Sequence, residues 1–401
     1  MSGARRRWLG LGLAMALLSL TACGTGGGTA TAGEKAPIRI GAVFSITGNS
    51  SSLGEPERNT VDLYRSQFQE VDGYPIQWIV YDDESDSTKA VQAVKRLIDE
   101  DKVAAVICCT TSPNSMAILN AVQDAKVPNI SVAASAAIVE PAAERTWIFK
   151  TPQNDSLMVD ILTDDMKQKG YGRIAFLAFD DAYGQSGFTV FKDIGPQKGL
   201  QLVAEEYFQR SDTDVTAQAT RLVRSQPDAY LIWAIPPGAV TAQKNLLDVA
   251  PGVIVYQSHG VANRTFIELG KEYVEGVLLP AGKLLVVNEL PDSDPQKKVL
   301  GDYKATYEGK YGAGTANTFG GHALDAMLIL QNAIQRALQQ GADPQDLAAF
   351  RAALRDAIEN TKDLVGISGI FSYSPRDHAG LDRRAAVMVT VKNGQWTLAQ
   401  P

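Results

Sequence analysis

Thr111 and Ser112 stand where an apolar run of strand length ends and a helical stretch begins, with Pro113 suited to the first helical turn. A helix starting there aims free backbone N–H groups and the positive end of its dipole beyond the strand, which suits a carboxylate. Capping of the helix by Ser112 is expected in either case. Ala133 and Ser135 follow a second apolar run, and their small size lets a ligand approach the backbone; a plain turn is the competing reading. Tyr183 opens a helix after a third run, so its ring either closes over a bound molecule or packs under its own helix. Trp233, Ile235 and Pro236 make an unusually apolar strand end, partly site and partly core. His259 lies in Ser258-His259-Gly260 at a further strand end, read as a site residue or as an ordinary loop histidine. These residue types hold an acid at one end and apolar surface at the other.

They do not make a reaction. A nucleophile elbow of the form Gly-x-Ser-x-Gly is absent, since Gly184-Gln185-Ser186-Gly187 is one residue short, and no His-Glu-x-x-His or glycine-rich dinucleotide loop occurs. The acid pairs Asp82-Asp83 and Asp180-Asp181 read as helix caps or loop anchors. His259, His322 and His378 are far apart in sequence and no metal-ligand spacing is present, so no catalytic set, metal or cofactor is expected.

The elements that must position these residues alternate. Strand-length runs at 38–44, 75–81, 103–107 and 127–132 are separated by helical periodicity at 55–71, 88–100 and 113–124. A second series begins after residue 154, with strands at 173–179, 200–208, 229–233 and 253–256. Helical segments follow at 303–311, 316–340 and 344–359, and closing strands at 370–373 and 385–391. This is the pattern of parallel sheets covered by helices. The fold class is α/β: two Rossmann-like lobes with parallel-type central sheets, joined by a multi-strand hinge. The expected division is 37–151 with 283–361 for one lobe and 152–282 with 362–401 for the other. Ligands in such sheets sit beyond the carboxyl ends of the strands. That selects the loops 45–54, which carries Ser52 and Leu53, 110–114, 133–137, 180–184, 233–238 and 257–262.

The amino-terminal region is of another kind. Arg5, Arg6 and Arg7 precede an apolar run too short to span a bilayer, and Leu20-Thr21-Ala22-Cys23 resembles the lipobox of bacterial lipoproteins. That resemblance implies a signal peptide over 1–22, a lipid on Cys23, and a mature chain tethered outside the cytoplasmic membrane through residues 23–36, rich in glycine, threonine and alanine. Removing 1–22 takes away three arginines and no acids, so the net charge passes from −7 to −10. That acidity argues against nucleic acid or an anionic membrane surface as partner. The two remaining cysteines, Cys108 and Cys109, read as buried thiols at a strand end, with a vicinal disulfide as the alternative.

From about residue 38 to 396 the chain resembles periplasmic solute-binding proteins of the branched-chain amino acid type, which serve ABC transporters and have the type I binding-protein fold. The resemblance rests on ordered motifs. They are IGAVFSITG at 40–48 with Leu53-Gly54, YDDESD at 81–86, TTSPNS at 110–115, ISVAAS at 130–135, FDDAYG at 179–184, SHGVAN at 258–263 and SPRDH at 374–378. It implies a monomeric receptor that takes a small carboxylate in an interlobe cleft and hands it to a permease. A sensory receptor of the same fold is the other role it allows. It also implies that the family's disulfide is missing, because Ser85 stands where those members carry a cysteine. Amino-acid binders commonly place an acid where His259 stands, to meet the ligand's ammonium. An imidazole there favours an aromatic or hydrophobic carboxylate, as bound by the family's aromatic-acid subgroup, over leucine, isoleucine or valine.

Lipidation is testable directly. Cys23→Ser is expected to move the protein from the membrane to the soluble extracytoplasmic fraction, with mass spectrometry finding lipid on the native chain alone. Native protein recovered soluble and lipid-free contradicts the tether.

Overall fold

The computed structural model describes residues 35–400. The expected signal peptide, Cys23 and all of the tether up to residue 34 lie outside the described residues. In the first sheet the strands are β1 (Ile38–Phe44), β2 (Glu70–Val71), β3 (Tyr74–Asp82), β4 (Ala105–Cys108), β5 (Asn129–Ser131) and β6 (Ile148–Lys150), and its first helices are α1 (Ser51–Tyr64), α2 (Ser87–Asp99) and α3 (Ser112–Asp124). The spatial order is β2-β3-β1-β4-β5-β6, parallel except for the β2–β3 ribbon. β1 is central, which is why its residues are buried on both faces save Arg39. Val43 and Val106 meet Val94, Leu97 and Ile118 on one side, while Ile40, Ala42 and Ile107 join the core on the other.

The second sheet repeats the plan. After α4 (Asp155–Gln168) come β7 (Arg173–Phe179), α5 (Ala182–Gln197), β8 (Gln201–Phe208), α6 (Thr216–Arg224), β9 (Ala229–Trp233), α7 (Gly238–Val249), β10 (Val255–Gln257), α8 (Arg264–Gly270) and β11 (Leu278–Gly282). Three helices follow: α9 (Lys297–Tyr311), α10 (Thr318–Gln339) and α11 (Leu347–Glu359). The last strands are the short β12 (Leu364–Val365) and β13 (Ile370–Phe371), then β14 (Ala386–Lys392) and β15 (Gln395–Leu398). The sheet order is β15-β14-β11-β10-β9-β7-β8, parallel up to the antiparallel β14 and β15. Each sheet therefore reverses strand order beside its first strand, between β1 and β4 and between β7 and β9. Such reversals open crevices at strand ends.

Both crevices depend on a glycine. A side-chain carbon on Gly54 would stand 2.2 Å from the Ser45 carbonyl oxygen, and one on Gly184 1.9 Å from that of Phe179. The helix after the first strand of each lobe thus lies directly on the strand end. This close approach starts α1 at Ser51, earlier than the expected residue 55, so Ser52 and Leu53 belong to its first turn and not to a loop.

The chain crosses between the lobes at 150–155. Lys150 Nζ donates to the Ala134 carbonyl and to Asn154 Oδ1, and Asp155 Oδ2 accepts from Ser186 Oγ at 2.5 Å. Thr151 Oγ1 donates to the His322 carbonyl at 3.0 Å, and Gln153 Nε2 to the carbonyls of Ser368 and Ala385. Helices α9 to α11 return to the first sheet, with Tyr303 hydrogen-bonded to Thr60 at 2.9 Å and Arg351 to the Val103 carbonyl. Residues 366–378, expected with the second lobe, bond to the first: Tyr373 donates to the Lys150 carbonyl, and Asp325 accepts from the amides of Ile367 and Ser368.

Two cysteine expectations separate here. Cys108 and Cys109 are buried at the end of β4, but they are bonded to each other and are not free thiols. Adjacent in sequence, they have no other thiol among the described residues to pair with. Ser85 Oγ donates to the Thr47 carbonyl at 2.8 Å and accepts from the Ser50 amide, tying down the loop before α1 without a disulfide.

Gly184→Ala is expected to destabilise the protein by about 1–3 kcal/mol, because its methyl meets backbone that no rotamer change can move. Gly301 in α9 faces open space, so Gly301→Ala should be neutral or stabilising by up to about 1 kcal/mol. Urea midpoints at unchanged m-value measure both; equal effects at the two sites would refute the contact.

Candidate ligand-binding site

The two crevices face each other across a cavity of about 390 Å³. From the first lobe come Leu53 on α1, Thr110, Thr111 and Ser112 at the β4–α3 turn, and Val132, Ala133 and Ala134 after β5. Pro152 comes from the crossing; Tyr183, Arg210, Ile235, His259 and Gly260 come from the second lobe, and Phe319 and His322 from α10. The mix of apolar walls with a few polar groups is that of a small-ligand pocket.

At the α3 end the residues act differently from expectation. Thr111, not Ser112, is the N-cap: its Oγ1 accepts from the Asn114 amide, at a long 3.4 Å. Ser112 is the first helical residue, and its Oγ accepts from the Ser135 amide at 3.2 Å, binding the two cavity turns together. Ser135 is consequently fully buried behind the wall and does not line the cavity. Thr110 Oγ1 accepts from the Ser45 amide and donates to Glu57, whose carboxyl is pushed well above its usual range by burial.

The second lobe supplies the opposite wall. Asp181 caps α5 through the amides of Tyr183 and Gly184. The Tyr183 ring is buried against Trp233 at 5.9 Å between centroids, and its hydroxyl sits beside Gly260. Trp233 does not touch the cavity. It lies beneath it, fully buried, edge-on to His259 at 5.8 Å and pinned by the bare backbone of Gly187. Pro236 enters a cis Pro236–Pro237 step ahead of α7 and is outside the lining, as is Ser52. Of the expected residues, Leu53, Thr111, Ser112, Ala133, Tyr183, Ile235 and His259 are brought together.

His259 is 7% exposed, and neither ring nitrogen has a hydrogen bond. Its Nε2 lies 3.9 Å from Asp155 Oδ1, too far for one. Burial, helped by the positive charge of Lys150, pushes this imidazole down to about 3. His322, which sequence spacing had set aside as isolated, lines the same cavity. Burial pushes it down to about 3 as well, and its Nδ1 bonds Ser368 Oγ at 2.6 Å. Behind them, burial raises Asp155 and lowers Lys150. Among the described residues no Asp or Glu lines the cavity, and Arg210 is the one charged lining residue. Arg210, Phe319, His322 and Pro152 carry no local motif, and only the fold brings them here.

A buried cleft between paired α/β lobes, holding polar donors over apolar walls, defines a ligand receptor. Residues 37–395 match the periplasmic binding protein family, and the chain belongs to it. An extracellular ligand-binding receptor from Rhodopseudomonas palustris HaA2 is 33% identical with a TM-score of 0.86, over 91% of this chain and all of that one. The fold is shared with a leucine binding protein from Thermotoga maritima (22% identity, TM-score 0.77, covering 90% and 98% of the two chains). It is also shared with a solute binding protein of an ABC transporter from Rhodopseudomonas palustris BisB5, solved in complex with 3,4-dihydroxy benzoic acid (19%, 0.74, 90% and 95%). No curated protein matches the chain. The family is one of extracytoplasmic solute-binding receptors, and among the described residues no helix is long and apolar enough to cross a membrane.

The buried imidazoles have a consequence for stability. In the unfolded chain a histidine titrates near 6.5, against about 3 for His259 in the fold. Between those values the unfolded chain binds more protons, so stability falls as pH drops from about 6.5 toward 3. Relative to His259→Asn, the native protein should lose up to about 1.4 kcal/mol per pH unit in that window and nothing above pH 7. Urea titrations at stepped pH check this; parallel curves from pH 4 to 7 would show that His259 titrates as in water.

Proposed function

We propose that this protein captures a small carboxylic acid without an ammonium group, aromatic or otherwise hydrophobic, between its lobes and delivers it to an ABC importer permease. It acts as a monomer held at the membrane by the lipid on Cys23. The observation that carries the ligand class is the lining itself: an α3 N-terminus, two neutral imidazoles, and among the described residues no acid to neutralise an ammonium. In this reading the Thr111–Ser112 turn receives the carboxylate. Leu53, Ala133, Tyr183, Ile235 and Phe319 cover the apolar body, with Trp233 as their support. His259 and His322 meet a polar substituent at the far end. Lobe closure about the 150–155 crossing accompanies capture. The complex of a solute binding protein of this fold with 3,4-dihydroxy benzoic acid supports the reading.

One feature favours a second reading, an amino-acid ligand. Asp155 Oδ1 is buried without a hydrogen bond 3.9 Å behind His259, and a turn of the imidazole would expose it to an ammonium.

A thermal-shift screen separates the two. Ligand at a hundredfold excess over Kd stabilises the native state by about 2.7 kcal/mol. The expected result is a shift with at least one of benzoate, 3,4-dihydroxybenzoate and 3-phenylpropanoate, none with leucine or valine, and the acid recovered unchanged after incubation. A shift with leucine or valine and with no aromatic acid overturns the proposal, and turnover of the acid removes the receptor role.

A further inference from the structure

The deep cavity opens into a wider polar mouth of about 810 Å³, where Asn49, Ser50 and Asn114 of the first lobe face Asp180 and Gln209 of the second. Two residues line both spaces, Thr111 from the first lobe and Arg210 from the second, so they mark the neck between them. Arg210 is set in place with care. Its Nε donates to Asp181 Oδ2 at 2.6 Å, and its guanidinium carbon lies 4.6 Å from the centre of the Phe179 ring. Asp181 is itself fixed, since its Oδ1 accepts from the amides of Tyr183 and Gly184 at the start of α5. Neither Nη of Arg210 has a hydrogen bond to any described residue, although the side chain is only 23% exposed. An arginine held by Nε and by its face, with both terminal nitrogens free, presents a fork that fits a carboxylate.

We infer that Arg210 is the second-lobe half of a carboxylate clamp at the neck, opposite Thr111 and Ser112. The acid group then points outward to the mouth and the hydrophobic body inward to Ile235 and Phe319, with His259 and His322 at its far end. The inference rests on the carboxylate reading above and deepens it by fixing the ligand's direction and naming what separates an acid from its neutral analogue. Asp181 already balances the charge of Arg210, so the residue contributes directed N–H donors more than surplus field. The same bond spans both lobes, so an acid holds the cleft shut in a way its amide does not.

Calorimetry on the full-length mature protein tests this with benzoate, 3,4-dihydroxybenzoate, 3-phenylpropanoate and hexanoate, each beside its primary amide. The native protein is expected to bind at least one acid tenfold or more tightly than its amide. Arg210→Gln should weaken that acid at least tenfold and leave the amide unchanged, with Arg210→Lys between them because an ammonium lacks the fork. Unchanged acid affinity in R210Q overturns the clamp and leaves the carboxylate reading standing. Equal losses for acid and amide reduce Arg210 to a shaping residue and also overturn it. Failure of every acid to bind the native protein overturns both. If R210Q does not fold, R210K decides: an acid-to-amide ratio equal to that of the native protein counts against the clamp.

Discussion

Lys150 and Asp155, two buried groups at either end of the first passage from one lobe to the other, are held by hydrogen bonds around which the site is organised. Both residues are fully buried. Each residue is a structural tie. Lys150 holds the Ala134 turn on the first-lobe wall, and Asp155 holds Ser186 on α5, whose Oγ in turn accepts from the Ala136 amide at 3.2 Å. The two walls of the cavity thus share one set of bonds. The positive charge of Lys150 also reaches His259 and His322 and adds to the burial that keeps them neutral.

The lobes are two uses of one plan. Each carries a helix seated by a glycine on the end of its first strand, and each places a helix N-terminus at the cleft. The first lobe presents the α3 turn, which Thr111 caps only through a long bond to the Asn114 amide. The second covers its own α5 start with Asp181 and sets Arg210 on that aspartate. One lobe offers backbone donors and the other a side-chain fork, so the chemistry of the cleft is asymmetric although its framework is not.

The fold was largely legible because its signal is local. Strand-length apolar runs at 38–44 and 173–179 are central parallel strands, and such strands must be apolar on both faces. Helix starts were less legible: α1 begins at Ser51 because Gly54 lets it rest on Ser45, a contact between backbones that hydropathy does not register. The first-lobe half of the site follows from a strand meeting a helix at Thr111, though the capping role was assigned one residue late. His322, Phe319 and Arg210 were invisible in the sequence for a different reason. They reach the cavity from α10 and from the end of β8, through long-range packing with no motif of their own. Trp233 shows the converse error, since apolarity at a strand end does not distinguish a wall from the layer beneath it.

That layer has an optical side. Trp233 is sealed from water with its indole N–H unpartnered, and it touches the two rings, Tyr183 and His259, that form the cavity's second-lobe face. An indole in such dry surroundings emits at short wavelength, and its brightness follows the placement of the phenol and imidazole against it. Any molecule that shifts either ring changes the light from Trp233, so the protein carries a label-free reporter of its own occupancy in the floor of the pocket.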